Sequence, residues 1–171
     1  MAICALVAVG FTSCNQTEST KEEMLTQKKG WVLTAATSEP PYQMLSGDKY
    51  ADIFNKGYFA DYELDDVYYY DAEGGALRVD AGKKVPSADE VGYTGVLTLG
   101  VWTLNYPTLK TKVPSFYDKK DGVWVMDDVK ILELTEETLK YEYTWNAAKK
   151  KGAKADGDEI YTFTLTFSKK K

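Results

Sequence analysis

The chain of 171 residues contains no histidine. Neither a Ser-His-Asp nor a Cys-His arrangement can be assembled from it, and a His-containing zinc site is excluded as well. Its two cysteines, Cys4 and Cys14, both precede Asn15, so the rest of the chain has no disulfide, thiol nucleophile or thiolate metal site. Acid–base chemistry would have to come from carboxylates, Tyr, Lys or hydroxyls. Three carboxylate doublets stand out: Asp65-Asp66, Asp127-Asp128 and Glu136-Glu137. Glycoside hydrolysis needs two carboxyl groups about 5 to 9 Å apart. Adjacent residues of a strand point to opposite faces, so no doublet is a catalytic pair by itself. Each falls at a strand end or turn, where such side chains satisfy local backbone groups. The stretches Asp118-Lys119-Lys120-Asp121-Gly122 and Asp156-Gly157-Asp158-Glu159 are too short for a calcium loop and read as hairpin turns. The expectation is a protein with no metal, no cofactor and no catalysis.

Aromatic side chains are the second resource, with 13 Tyr, 6 Phe and 4 Trp. Such rings pack a core, stack on sugars or line an apolar cavity. If a cavity exists, the residues expected to line it are Tyr69, Trp102, Tyr141, Tyr143 and Trp145. Charge offers less. The net charge is −5, and among 21 basic residues only Arg78 is an arginine. Reading bases and phosphates normally recruits Arg forks, so nucleic acid is not an expected partner. The acidic patch of Asp61, Glu63, Asp65, Asp66, Asp71 and Glu73 contains no basic residue. Lys149-Lys150-Lys151 and Lys169 to Lys171 read as solvated loop and tail.

These residues must be positioned by strands. Leu139, Tyr141, Tyr143 and Trp145 alternate with polar residues, as do Tyr161, Phe163, Leu165 and Phe167 with Thr162, Thr164 and Thr166. Period two lays one apolar stripe on a core, so the Tyr141-Tyr143-Trp145 stripe is expected inward and the threonines outward. Upstream, Gly30 to Ala35 forms a first strand ending before Pro40-Pro41. Ser46 to Gly57 has the apolar spacing of a brief helix, capped by Ser46 or Asp48 and stopped by Gly57. Val67-Tyr68-Tyr69-Tyr70 turns at Glu73-Gly74-Gly75 into Ala76 to Val79. Val85 to Gly92 reads as loop. Thr94 to Asn105 is a long strand with a bulge or barrel corner at Gly100. Thr108 to Val113 is a weak strand. Val123 to Leu134 reads as two short strands broken near Asp127, and Lys149 to Asp158 as a loop. The total of about eight strands at hairpin spacing suits an antiparallel barrel or sandwich.

The chain opens with the uncharged run Met1 to Phe11, too short to span a membrane as a helix, which takes about 20 apolar residues. It suits the apolar centre of a signal peptide whose basic beginning is missing, so translation is expected to start further upstream or the leader to be truncated. Phe11-Thr12-Ser13-Cys14-Asn15 follows and resembles the lipobox of Gram-negative lipoproteins. That resemblance implies acylation of Cys14 and a membrane-anchored place in the cell envelope, outer membrane or periplasm. Residues 1–13 are then signal peptide, 14–28 a tether without a core of its own, and 29–171 one folded domain. Thr20-Lys21-Glu22-Glu23 has capping-box spacing and starts a short helix through Met24 and Leu25.

With those residues in view, the span from Lys29 to Lys171 resembles the lipocalin-like domains of secreted Gram-negative lipoproteins. The resemblance rests on Gly30-Trp31-Val32-Leu33, Asp65 to Tyr70 with its Gly-bearing turn, Gly100-Val101-Trp102-Thr103-Leu104, and Ile131 to Thr135 with Thr138-Leu139. The family's Gly-x-Trp of the first strand is here Gly30-Trp31, and the regular spacing occurs only at Gly100 and Trp102. The resemblance implies an all-β antiparallel barrel of about eight strands with one or two short helices, binding a small apolar or amphipathic ligand. A glycan- or protein-recognition module using exposed aromatics remains the alternative, and a carboxylate or tyrosine hydrolase a third.

Overall fold

The computed structural model describes residues 13–44, 46–73, 75–84, 95–113, 124–146 and 160–171. Within these, side-chain surroundings are described except at 13–17, 112–113, 124–128 and 145–146. The leader, the Val85–Gly92, Asp118–Gly122 and Lys149–Asp158 stretches, and the side chains of Cys14, Asp127, Asp128 and Trp145 lie outside this description.

A helix, α1 (Ser13–Leu25), precedes nine strands: β1 (Trp31–Gln43), β2 (Lys49–Asp52), β3 (Val67–Tyr70), β4 (Ala76–Asp80), β5 (Val96–Asn105), β6 (Thr108–Val113), β7 (Trp124–Leu134), β8 (Thr138–Asn146) and β9 (Ile160–Lys169). Each strand from β3 onward pairs antiparallel with the next, and β1 closes the sheet by pairing with β9 from Trp31↔Lys169 to Glu39↔Thr162. On its other side β1 is shared. Its first residues pair with β3 at Trp31↔Tyr68 and its upper part with β2 at Tyr42↔Tyr50. The result is a closed antiparallel barrel of eight strands with β2 completing one wall.

The expected alternation is realised. On β9, Tyr161, Phe163 and Phe167 are buried while Thr162, Thr164 and Thr166 take the opposite face, and on β8 Leu139 and Tyr141 are buried. Closure requires curvature, and register shifts supply it. They lie between Leu33 and Ala35 on β1, beside Gly100 on β5, between Leu109 and Thr111 where β6 meets β7, and between Ile131 and Glu133 on β7. The shift at Gly100 matches the corner expected there.

Three segments depart from expectation. β1 runs on through Pro40 and Pro41 to Gln43. The prolines fall in the irregular stretch between Thr37↔Asp52 and Tyr42↔Tyr50, where the ladder with β2 is interrupted and no N–H is required. The helix expected over Ser46 to Gly57 is instead strand β2 followed by turns. There the Asp52 carboxylate accepts from the Phe54 and Asn55 amides, an Asx turn that competes with helix. Residues Trp124 to Leu134 form one strand rather than two.

The two ends of the barrel differ. The connections β3–β4, β5–β6 and β7–β8 are short and share the lower end, where α1 also packs. The ends of β4, β6 and β8 and the starts of β5, β7 and β9 share the upper end. The helix is longer than the short one expected, and its last turn joins the core. Leu25 is fully buried, and the Lys21 ammonium donates to the Leu134 carbonyl at 2.7 Å. Among the described residues no helix is long and apolar enough to cross a membrane.

Candidate binding site in the barrel interior

The interior is built of rings in two tiers. In the lower tier Trp31, Tyr70, Trp102, Tyr141 and Phe167 are buried with aliphatic residues from β1, β4, β6, β7 and β8. Tyr141 stacks on Phe167 at 5.3 Å, and Tyr70 meets Trp102 edge-on at 5.8 Å. In the upper tier Phe163 is the hub, with Tyr143 at 5.3 Å, Tyr42 at 5.7 Å and Tyr58 at 5.7 Å. Tyr42, Tyr58, Phe59 and Tyr143 stay half-buried there. The segment after β2 supplies Ile53, Phe54, Tyr58 and Phe59 to these tiers, anchored by the Ile53 and Phe54 amides donating to the Ala36 carbonyl.

The two buried indole N–H groups are paired. The Trp31 indole N–H donates to the Leu25 carbonyl at 2.8 Å and that of Trp102 to the Asp71 carbonyl at 3.2 Å. The Tyr58 and Tyr143 hydroxyls bond each other. Burial holds the phenols in their neutral form. It pushes Tyr58 up to about 12, and raises Tyr68, Tyr70, Tyr141 and Tyr143 further. Across the physiological range the interior therefore presents ring faces and neutral hydroxyls.

Of the residues expected to line a cavity, Trp102, Tyr141 and Tyr143 point inward, the first two in the lower tier and Tyr143 between the tiers. Tyr69 does not. It pairs with Arg78 across β3–β4, with the guanidinium 5.5 Å from its ring centre, on the outer face. Its neighbours Tyr68 and Tyr70 take the interior instead, because a strand exposes alternate residues to one side. Trp145 pairs with Tyr161 in the β8–β9 ladder. Sequence reasoning passed over Tyr68, Tyr70, Tyr161, Phe163, Phe167, Tyr42, Tyr58 and Phe59. The last three come from segments read as loop or helix, whereas Phe163 and Phe167 were already on the apolar stripe of β9.

The carboxylates hold local structure. Asp65 accepts the Lys83 and Lys84 amides at 2.8 and 3.2 Å, and Asp66 accepts the Gly82 amide at 3.4 Å. Glu137 pairs with Lys169 at 2.7 Å. Asp71 and Arg78 form a two-pronged ion pair beside Tyr69. Among the described residues no three acidic or thiol groups gather as metal ligands. Two shallow grooves open on the outside, of about 330 Å³ beside Asp65 and Lys170 and about 440 Å³ beside Thr37, Glu142 and Thr164. No family model, curated protein or solved structure matches the chain.

Proposed function

We propose that this is a non-enzymatic, lipocalin-like binding protein of the Gram-negative envelope. It is anchored through acylated Cys14 and takes a small apolar or amphipathic ligand through the upper end of its barrel. The observation that carries this reading is the upper tier. Tyr42, Tyr58, Phe59 and Tyr143 are half-buried rings clustered toward the upper end, while α1 and three short turns occupy the other end. Burying a ring stabilises by roughly 1.5 to 3 kcal/mol, so side chains left half-exposed at a barrel mouth offer unused apolar area to a guest. Their neutral phenols add hydrogen bonds without charge. The carboxylates of Asp65, Asp66, Asp71 and Glu137 are engaged in turns and ion pairs.

The glycan-recognition alternative calls for an exposed row of rings on an outer face. Among the described residues Tyr69 is the outward tyrosine of its strand and is half-covered beside Arg78. The outer groove beside Thr37 carries hydroxyls and carboxylates rather than rings, so the interior reading is favoured.

Titration with N-phenylnaphthylamine, a neutral dye that fluoresces in apolar surroundings, tests the site. Saturable binding near one dye per chain is expected, weakened by Tyr143→Ala. Absence of saturable binding to the folded protein would overturn the reading. Intact mass of protein taken from its own envelope tests the anchor: an acyl-sized increment lost in Cys14→Ala is expected, and an unmodified chain refutes it.

A further inference from the structure

Thr111 is the odd residue of the interior. It sits on β6 opposite Trp102, on the inward face, and is only 2 % exposed. Its Oγ1 is buried with no hydrogen-bond partner. A strand threonine normally turns its hydroxyl to solvent or to a backbone carbonyl, and leaving a buried hydroxyl unpaired is unfavourable enough that such groups call for an explanation. Trp102 stands opposite it on β5 with Tyr70 packed on the Trp102 edge, and Leu109 precedes it on the same face of β6.

We propose that the Thr111 hydroxyl is the polar anchor of an internal ligand position, and that the ligand is a neutral molecule with an apolar body and one hydroxyl or carbonyl group. This rests on the reading of the barrel as a binding protein and narrows its ligand class. Charge decides against an anionic head group. No Lys or Arg whose side-chain surroundings are described is buried, so a carboxylate brought to Thr111 would lose its hydration without one of these as counter-charge. A hydroxyl or carbonyl needs a single partner, and Thr111 can donate or accept.

The test compares three ligands with one body: para-butylphenol, butylbenzene and para-butylbenzoate, each displacing N-phenylnaphthylamine from wild type and from Thr111→Val, a substitution of nearly equal shape. Wild type is expected to favour the phenol over the hydrocarbon by about fivefold to tenfold, the worth of one neutral hydrogen bond, and to bind the benzoate least. Thr111→Val should lose the preference for the phenol while keeping its affinity for butylbenzene. It should also be more stable than wild type without ligand, because it deletes an unpaired buried group. If all three bind but Thr111→Val leaves their ratios unchanged, the anchor is overturned while the binding reading stands. Lowered ligand-free stability of the variant, together with unchanged ratios, would assign the hydroxyl to a resident water. If none binds wild type, both readings fall.

Discussion

Trp31 ties the helix to the barrel by two kinds of contact. Its ring is fully buried in the lower tier, and its indole N–H donates to the last turn of α1 at the Leu25 carbonyl. Trp31→Ala is expected to cost about 3–5 kcal/mol and Trp31→Phe about 1–3 kcal/mol, the latter by orphaning a buried carbonyl, as read from urea denaturation. The interior tyrosines set a pH limit. The folded pKa values of Tyr58, Tyr68, Tyr70, Tyr141 and Tyr143 lie above the unfolded value near 10, with Tyr58 up to about 12. Below pH 10 both states hold the phenolic proton, so the full stability is present. Above it the unfolded chain releases protons that the folded one retains, and stability falls as pH rises through 10 toward 12. Tyrosinate absorbance should therefore show the buried phenols titrating only with loss of the fold, after the more exposed ones. The three-tyrosine run 68–70 also shows where a sequence stops informing. Alternation fixes that Tyr68 and Tyr70 share a face, but with tyrosine at every position it cannot fix which face. The outward partner Arg78 on β4 was the available clue.

At the scale of elements, β1 carries the most structure, since it pairs with β2, β3 and β9. The chain enters it through Gly30, whose φ of +74° suits glycine. A Cβ there would stand 2.6 Å from Val67 Cγ1 and 2.7 Å from Tyr69 Cε1. Gly30→Ala is expected to destabilise by about 2 kcal/mol or more, through backbone strain and the clash with β3, measurable as a lowered denaturation midpoint. The last turn of α1 is equally committed: Leu25→Ala should cost about 2–5 kcal/mol. The half-exposed Asp71–Arg78 pair should contribute under about 1 kcal/mol. Strands with strict alternation, β8 and β9, were legible because one face is core and the other polar. β2 and the start of α1 were not. In the first, helical spacing of Tyr50, Ile53 and Phe54 was overridden by pairing with β1 and by the Asp52 turn. In the second, a polar segment without apolar periodicity gave no helix signal before Thr20.

Across the whole molecule the barrel is closed by contact between near-terminal strands, β1 and β9, in register over most of their length. Such long-range pairing was legible only as strand count and spacing, because two apolar stripes do not announce their partner. The same closure brings Tyr42, Tyr58 and Tyr143 together from β1, the segment after β2, and β8. No local pattern could have shown that grouping. It also sets two differently built ends on one ring-lined interior, and the functional reading turns on whether a guest occupies it. Native mass spectrometry of the protein purified from its own envelope tests this most directly. A neutral small molecule held non-covalently, near one per chain and released on unfolding, is the predicted result. A bare protein mass under the same gentle conditions, with no saturable uptake of neutral aromatic ligands afterwards, would contradict it.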